Sequence, residues 1–119
     1  MNIEFKEHNG YHIAELISDD IEVRNSQDAV DLMGNCRYRG ASKIIIRETN
    51  LTPDFFALST GIAGEILQKF STYDVQLAII GDFEKYPGKS LQNFIYESNK
   101  YKRINFVSSL AAAISSLTK

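Results

Sequence analysis

The sequence predicts a single α/β domain over residues 1–119, built on a mixed, mostly parallel β-sheet with an N-terminal β-hairpin and helices packed on it. Three observations carry this. First, two all-apolar runs, KIIIRE from Lys43 and VQLAIIGDF from Val75, flank a helix-forming segment. Adjacent apolar strands joined by a helix make a right-handed βαβ unit whose parallel sheet is buried. Second, MNIEFKEHNGYHIAEL alternates apolar and polar residues about Asn9-Gly10, the pattern of a tight hairpin and not of a signal peptide. Third, 44% hydrophobic and 24% charged residues is an ordinary globular composition. A chain of this length buries about two-thirds of its unfolded surface without needing a metal or disulfide.

In chain order, Ile3 and Phe5 alternate with Glu4 and Lys6 in the first strand, and Tyr11, Ile13 and Leu16 carry the return strand. Ser26 is placed to cap the first helix, with Asp28 in its first turn and Ala29, Val30, Met33 and Cys36 at helical spacing. Gly40 supplies the left-handed residue that ends it. After strand Lys43–Arg47, Thr52 reads as an N-cap and Pro53 as the first helical residue. Strand Val75–Ile80 ends at Gly81-Asp82, and a helix over roughly Ser90–Ser98 follows Pro87-Gly88. Strand Ile104–Val107 precedes a last helix, Leu110–Leu117, capped by Ser108 or Ser109. The order is β-β-α-β-α-β-α-β-α, with three crossovers and no linker or repeat.

The bulk properties narrow the function. A net charge of −2 and a pI near 5.6 give no electrostatic reason to expect nucleic acid or an anionic membrane as partner. Cys36 is the single cysteine, which suits a reducing compartment, and no apolar run reaches the ~20 residues needed to span a bilayer. The expectation is a cytoplasmic domain without a cofactor.

The blocks NLTPDFFALSTGIAGEILQKF and SLQNFIYESN are similar to a family of small bacterial proteins catalogued as a domain of unknown function. The element order, with Ser59-Thr60-Gly61-Ile62 after strand Lys43–Arg47, also resembles STAS domains, the sulfate-transporter and anti-sigma-factor-antagonist fold. STAS antagonists carry a Ser-Ser-Gly-Leu-like segment there, on which a partner kinase phosphorylates a hydroxyl and so switches off binding. The resemblance implies Thr60, with Ser59 beside it, as phosphoacceptor. Those antagonists usually have Asp before the segment, where this chain has Leu58.

Two glycines inside the helix-forming run need a physical reason, since each costs about 1 kcal/mol relative to alanine in a helix. Either Gly61 and Gly64 admit a close neighbour or partner, or the helix breaks near Ser59 and restarts. Both readings make Leu51, Thr52, Gly61 and Gly64 the expected partner-binding surface, for a protein partner or a second copy of the chain. Ligands of such sheets sit beyond the carboxyl ends of the strands. Glu48, Asn50, Asp82 and Lys89 fall there and define the alternative, a small-molecule pocket or weak enzyme.

Other constellations carry less. Gly88-Lys89-Ser90 lacks the upstream glycine of a phosphate loop and has Pro87 where a donor is needed. His8 and His12 straddle the hairpin turn, so they do not form a helical zinc pair. Cys36 reads as a small buried hydrophobe. Arg37-Tyr38-Arg39 and Lys100-Tyr101-Lys102-Arg103 interleave bases with aromatics, but cations are favoured at helix carboxyl ends in any case. The sequence therefore favours a regulatory interaction module over an enzyme.

Overall fold

A computed structural model describes residues 1–119. The chain forms β1 (Asn2–His8), β2 (Tyr11–Ile17), α1 (Ser26–Tyr38), β3 (Lys43–Arg47), α2 (Ile62–Thr72), β4 (Gln76–Ile80), α3 (Lys89–Tyr101), β5 (Ile104–Val107) and α4 (Leu110–Leu117). The five strands join one sheet in the order β1-β2-β3-β4-β5. β1 is antiparallel to β2, and the remaining pairs are parallel. This is the expected β-β-α-β-α-β-α-β-α order of a mixed, mostly parallel sheet with an N-terminal hairpin. No helix is long and apolar enough to cross a membrane.

The period-2 pattern decides which residues face which layer. Ala14, Leu16, Ile44, Ile46, Leu77, Ile79, Ile104 and Phe106 point into the larger core, against α1, α2 and α3. Ile13, Ile45 and Ala78 point the other way and pack on Ala113 and Leu117 of α4. Helices thus cover both faces, so β3 and β4 read as unbroken apolar runs. Cys36 is fully buried in the larger core, and burial pushes its thiol up to about 11, which makes it inert at neutral pH.

The hairpin turn is as expected: Asn9 (φ 51°) and Gly10 (φ 82°) are both left-handed. His8 and His12 therefore lie on opposite faces of the hairpin, since His8 pairs with Tyr11 and His12 with Glu7. Gly40 closes α1 at φ 85°.

Two local expectations are corrected and one open choice is resolved. Asn25, not Ser26, caps α1: its extended backbone lets Oδ1 accept the Asp28 amide at 2.9 Å, while Asp28 accepts the Arg24 amide. α3 starts at Lys89 with Gly88 as its uncapped boundary residue and runs to Tyr101, so Ser90 is inside it. Of the two serines offered for α4, Ser109 is the cap, accepting the Ala112 amide at 3.1 Å.

Two polar side chains hold backbone that the ladders leave unpaired. Asn50 is fully buried, accepts the Arg47 amide and donates to the Ser18 and Asp20 carbonyls, tying the loop after β2 to the end of β3. Replacing Asn50 by alanine will leave one amide and two carbonyls without partners. We expect a loss of about 2–3 kcal/mol, read as a lower urea midpoint at unchanged m-value. On the outer side of β5, the Asn99 side chain donates to the Phe106 carbonyl and accepts the Phe106 amide at 2.6 Å.

Candidate functional site at the carboxyl ends of the strands

The segment expected to be one helix from Pro53 is instead a knuckle followed by a helix. Pro53–Phe56 and Leu58–Thr60 form two short 3₁₀ turns, and α2 begins only at Ile62. Thr52 stands at the boundary before Pro53 but makes no side-chain cap. Gly61 is left-handed (φ 78°) and occupies the N-cap position of α2, which therefore has no side-chain cap. The break accounts for Gly61, a conformation that side chains adopt only at a cost. Gly64 lies in the first turn of α2, and a Cβ there would meet nothing within 4 Å, so no element of this chain approaches it closely.

Thr60 is exposed at the tip of the knuckle. Its Oγ1 lies 2.8 Å from the carbonyl oxygens of both Asp54 and Ala57, to which its single proton is shared, and accepts from the Ile62 amide at 3.3 Å. Ser59 is exposed beside it. The knuckle is anchored from below by Phe55 in the core and sideways by Phe56, whose ring stacks on Tyr86 with centroids 4.6 Å apart. Leu51 is 2% exposed, so it belongs to the core; Thr52 is half-buried, and the exposed surface is left to Thr60, Gly61 and Gly64.

Glu48, at the end of β3, organises the neighbouring loop. Its Oε1 accepts the Asp82 amide and the Lys85 ammonium, both at 3.0 Å, and its Oε2 accepts the Tyr86 hydroxyl at 2.7 Å. Gly81 makes room for it: a Cβ there would sit 2.8 Å from Oε1. Burial would raise the Glu48 carboxyl, but those three donors outweigh it and hold the group below the usual carboxylate range. Burial and the adjacent carboxylate push the Tyr86 phenol well above its ordinary value. Gln92 completes the clamp by donating to the Phe83 and Tyr86 carbonyls.

Beside this clamp lies an open cleft of about 810 Å³ between the ends of β4 and β5, α3 and α4. Asp82, Phe83, Glu84, Phe106 and Ser108 are among its lining residues. Of the four residues offered for a ligand pocket, Asp82 alone lines this cleft. The Glu48 carboxylate is committed to the Asp82 backbone amide and two side chains, which leaves no acid/base pair with the Asp82 carboxylate. Asn50 is sequestered in the loop it holds, and Lys89 is exposed at the start of α3. The sequence does not single out Lys85, Tyr86 and Gln92. Their one signal is the cluster of polar and aromatic residues after a glycine-ended strand.

Fold and site together define a single α/β domain whose distinguishing feature is a knuckle and clamp at the strand ends. The chain matches the family described as Domain of unknown function (DUF4180) over residues 8–117 and belongs to it. Among solved structures, it is similar to a Thermotoga maritima protein described as a candidate anti-sigma factor antagonist. The two share 13% identity over 98% of this chain and 95% of the other, with a TM-score of 0.49. No curated protein matches the chain.

Proposed function

We propose that this domain is a cytoplasmic regulatory module that docks a protein partner through the exposed surface of the Leu51–Phe70 segment and is switched by a phosphate on Thr60. The observation that carries the reading is the position of the Thr60 hydroxyl. It is exposed, yet as a donor it adds a side-chain bond to the Asp54 and Ala57 carbonyls, whose own turns are closed by backbone amides. It lies beside a helix start that its N-cap residue, Gly61, leaves uncapped. A phosphate ester removes that donor and adds roughly −1.5 to −2 charges. The free amides of the first turn of α2 would then attract the phosphate while the two turns lose their shared bond. The knuckle would change shape where a partner docks.

Gentle capture of tagged wild type, Thr60→Ser, Thr60→Glu and Gly64→Arg proteins from the native host, with quantitative mass spectrometry, tests this. One stoichiometric protein should be retained by wild type and Thr60→Ser. Retention should fall at least tenfold in Thr60→Glu, and also in Gly64→Arg, which places a bulky charge in open space. Equal retention by Thr60→Glu would remove the switch, and equal retention by all four would remove the docking surface.

The cleft beside Asp82 supports a second reading, a small-molecule site. A compound that raises the melting temperature of the wild type but not of Asp82→Ala would favour it.

A further inference from the structure

The net charge of −2 is an average over two poles of opposite sign. At the carboxyl ends of the strands, segments 18–25, 48–61 and 81–89 hold seven carboxylates and three Lys or Arg residues. At the amino ends, segments 7–11, 36–43, 73–76 and 99–103 hold Arg37, Arg39, Lys43, Lys100, Lys102 and Arg103 against Glu7 and Asp74. The two basic-aromatic clusters, far apart in sequence, meet here because α1 and α3 end at the same pole. The average charge therefore does not describe this surface.

The cations have a partial structural explanation. All four helices end at this pole, and their partial negative charges, roughly half a charge each, favour bases nearby. Arg37 donates to the Tyr73 carbonyl, Arg39 lies over the Phe5 ring and Arg103 pairs with Asp74 at 2.8 Å. Lys100 and Lys102 form no ion pair. None of this accounts for the tyrosines. Tyr38, Tyr73 and Tyr101 stand at the ends of α1, α2 and α3, and are 91%, 46% and 77% exposed. Tyr11, 38% exposed, lies under the Lys43 ammonium at the start of β2. Of these four rings, interleaved with cations around one pole, Tyr38 and Tyr101 bury little in this chain and Tyr11 and Tyr73 present one side to solvent. The patch is continuous: Arg37 reaches Tyr73, Arg103 reaches Asp74, and Lys43, Tyr101 and Arg103 line one small polar cleft.

We propose that this amino-end pole binds single-stranded nucleic acid, its tyrosines stacking on unpaired bases while Lys100 and Lys102 neutralise phosphates. Stacking on an aromatic ring tolerates any base, and cations beside the rings track the backbone. A duplex hides its base faces and leaves the tyrosines without a role. An acidic polypeptide would meet the cations but has no bases to stack. The surface lies at the opposite end of the molecule from the knuckle, so it stands or falls independently of the docking and switching reading.

Fluorescence anisotropy at low salt, with labelled 15-nucleotide oligothymidine and oligouridine, a 15-base-pair duplex and a 15-residue polyglutamate, tests the proposal. The single strands should bind at least tenfold more tightly than the duplex or the polyglutamate. Tyr38→Ala/Tyr101→Ala should weaken them at least tenfold, whereas Tyr38→Phe/Tyr101→Phe should not. Lys100→Gln/Lys102→Gln should make the slope of log affinity against log salt shallower by about 1.4, at ~0.7 for each phosphate no longer neutralised. Thermal melts check that these exposed positions leave folding intact. No binding to either oligonucleotide, equal affinity for all the polyanions, or an unchanged affinity in the double alanine variant would each overturn the proposal.

Discussion

Replacing Lys6 and Arg47 together by methionine will destabilise the domain by about 3–5 kcal/mol at neutral pH, and adding Glu15→Leu will restore most of that loss. Glu15 is 3% exposed on the α4 side of the sheet, with its two oxygens 2.6 Å from Lys6 Nζ and 2.9 Å from an Arg47 guanidinium nitrogen. Burial would raise its carboxyl, but hydrogen bonds and attraction from Lys6 and Arg47 outweigh that and lower it. Without either cation, the carboxylate is left buried and unpaired. The asymmetry is the point of the test. Lys6 and Arg47 keep about a third of their side-chain surface in water, so they tolerate loss of Glu15 far better than Glu15 tolerates loss of them. Urea denaturation of the single, double and triple variants measures this. A triple variant no more stable than the double would show that the cost lies in the packing of the long side chains, and not in the orphaned charge.

Glu48→Ala will cost roughly 3 kcal/mol, from the loss of charge-assisted bonds to one amide, one ammonium and one phenol that are not additive. The effect depends on pH in a definite direction. A carboxyl held below its ordinary value of 4.5 contributes stability that is complete well above that pH. The contribution is lost as acid takes the pH down through the folded-state value. The stability gap between wild type and Glu48→Gln should therefore be widest near pH 7 and narrow below about pH 4.5. A gap independent of pH would mean that shape, and not charge, is what Glu48 supplies. Because Phe56 stacks on Tyr86, loosening this clamp should also raise hydrogen exchange in the Pro53–Gly61 turns.

The sheet is readable from sequence because its signals are local. Isoleucine runs bounded by turn residues have few other uses, and Asn9-Gly10 names its own turn. The last strand and helix fall at their expected bounds for the same reason. The knuckle is harder to read, since Leu-Thr-Pro-Asp opens an α-helix and a 3₁₀ turn equally well. The glycine pair raises the question of one helix or two pieces, and only the left-handed Gly61 decides it. The clamp is unreadable because it is tertiary. Glu48 and Tyr86 are brought together by strand pairing between β3 and β4, and nothing in the spacing of either loop requires the other. The Lys6–Glu15–Arg47 cluster gives one faint sign, a carboxylate inside an otherwise apolar strand.

The Asn99 amide, lying along β5, has a further consequence for how this domain can assemble. By occupying both the amide and the carbonyl of Phe106, it takes the place that an incoming strand would use. Exposed strand borders recruit other chains, and natural sheets block them in several ways. Here the blockade is a side chain that mimics a neighbouring backbone, and it occupies the middle of one margin of the sheet with a single residue. A partner that extends the sheet by contributing a strand meets less obstruction at β1, on the opposite margin. Removing the asparagine carboxamide would open a second direction for growth.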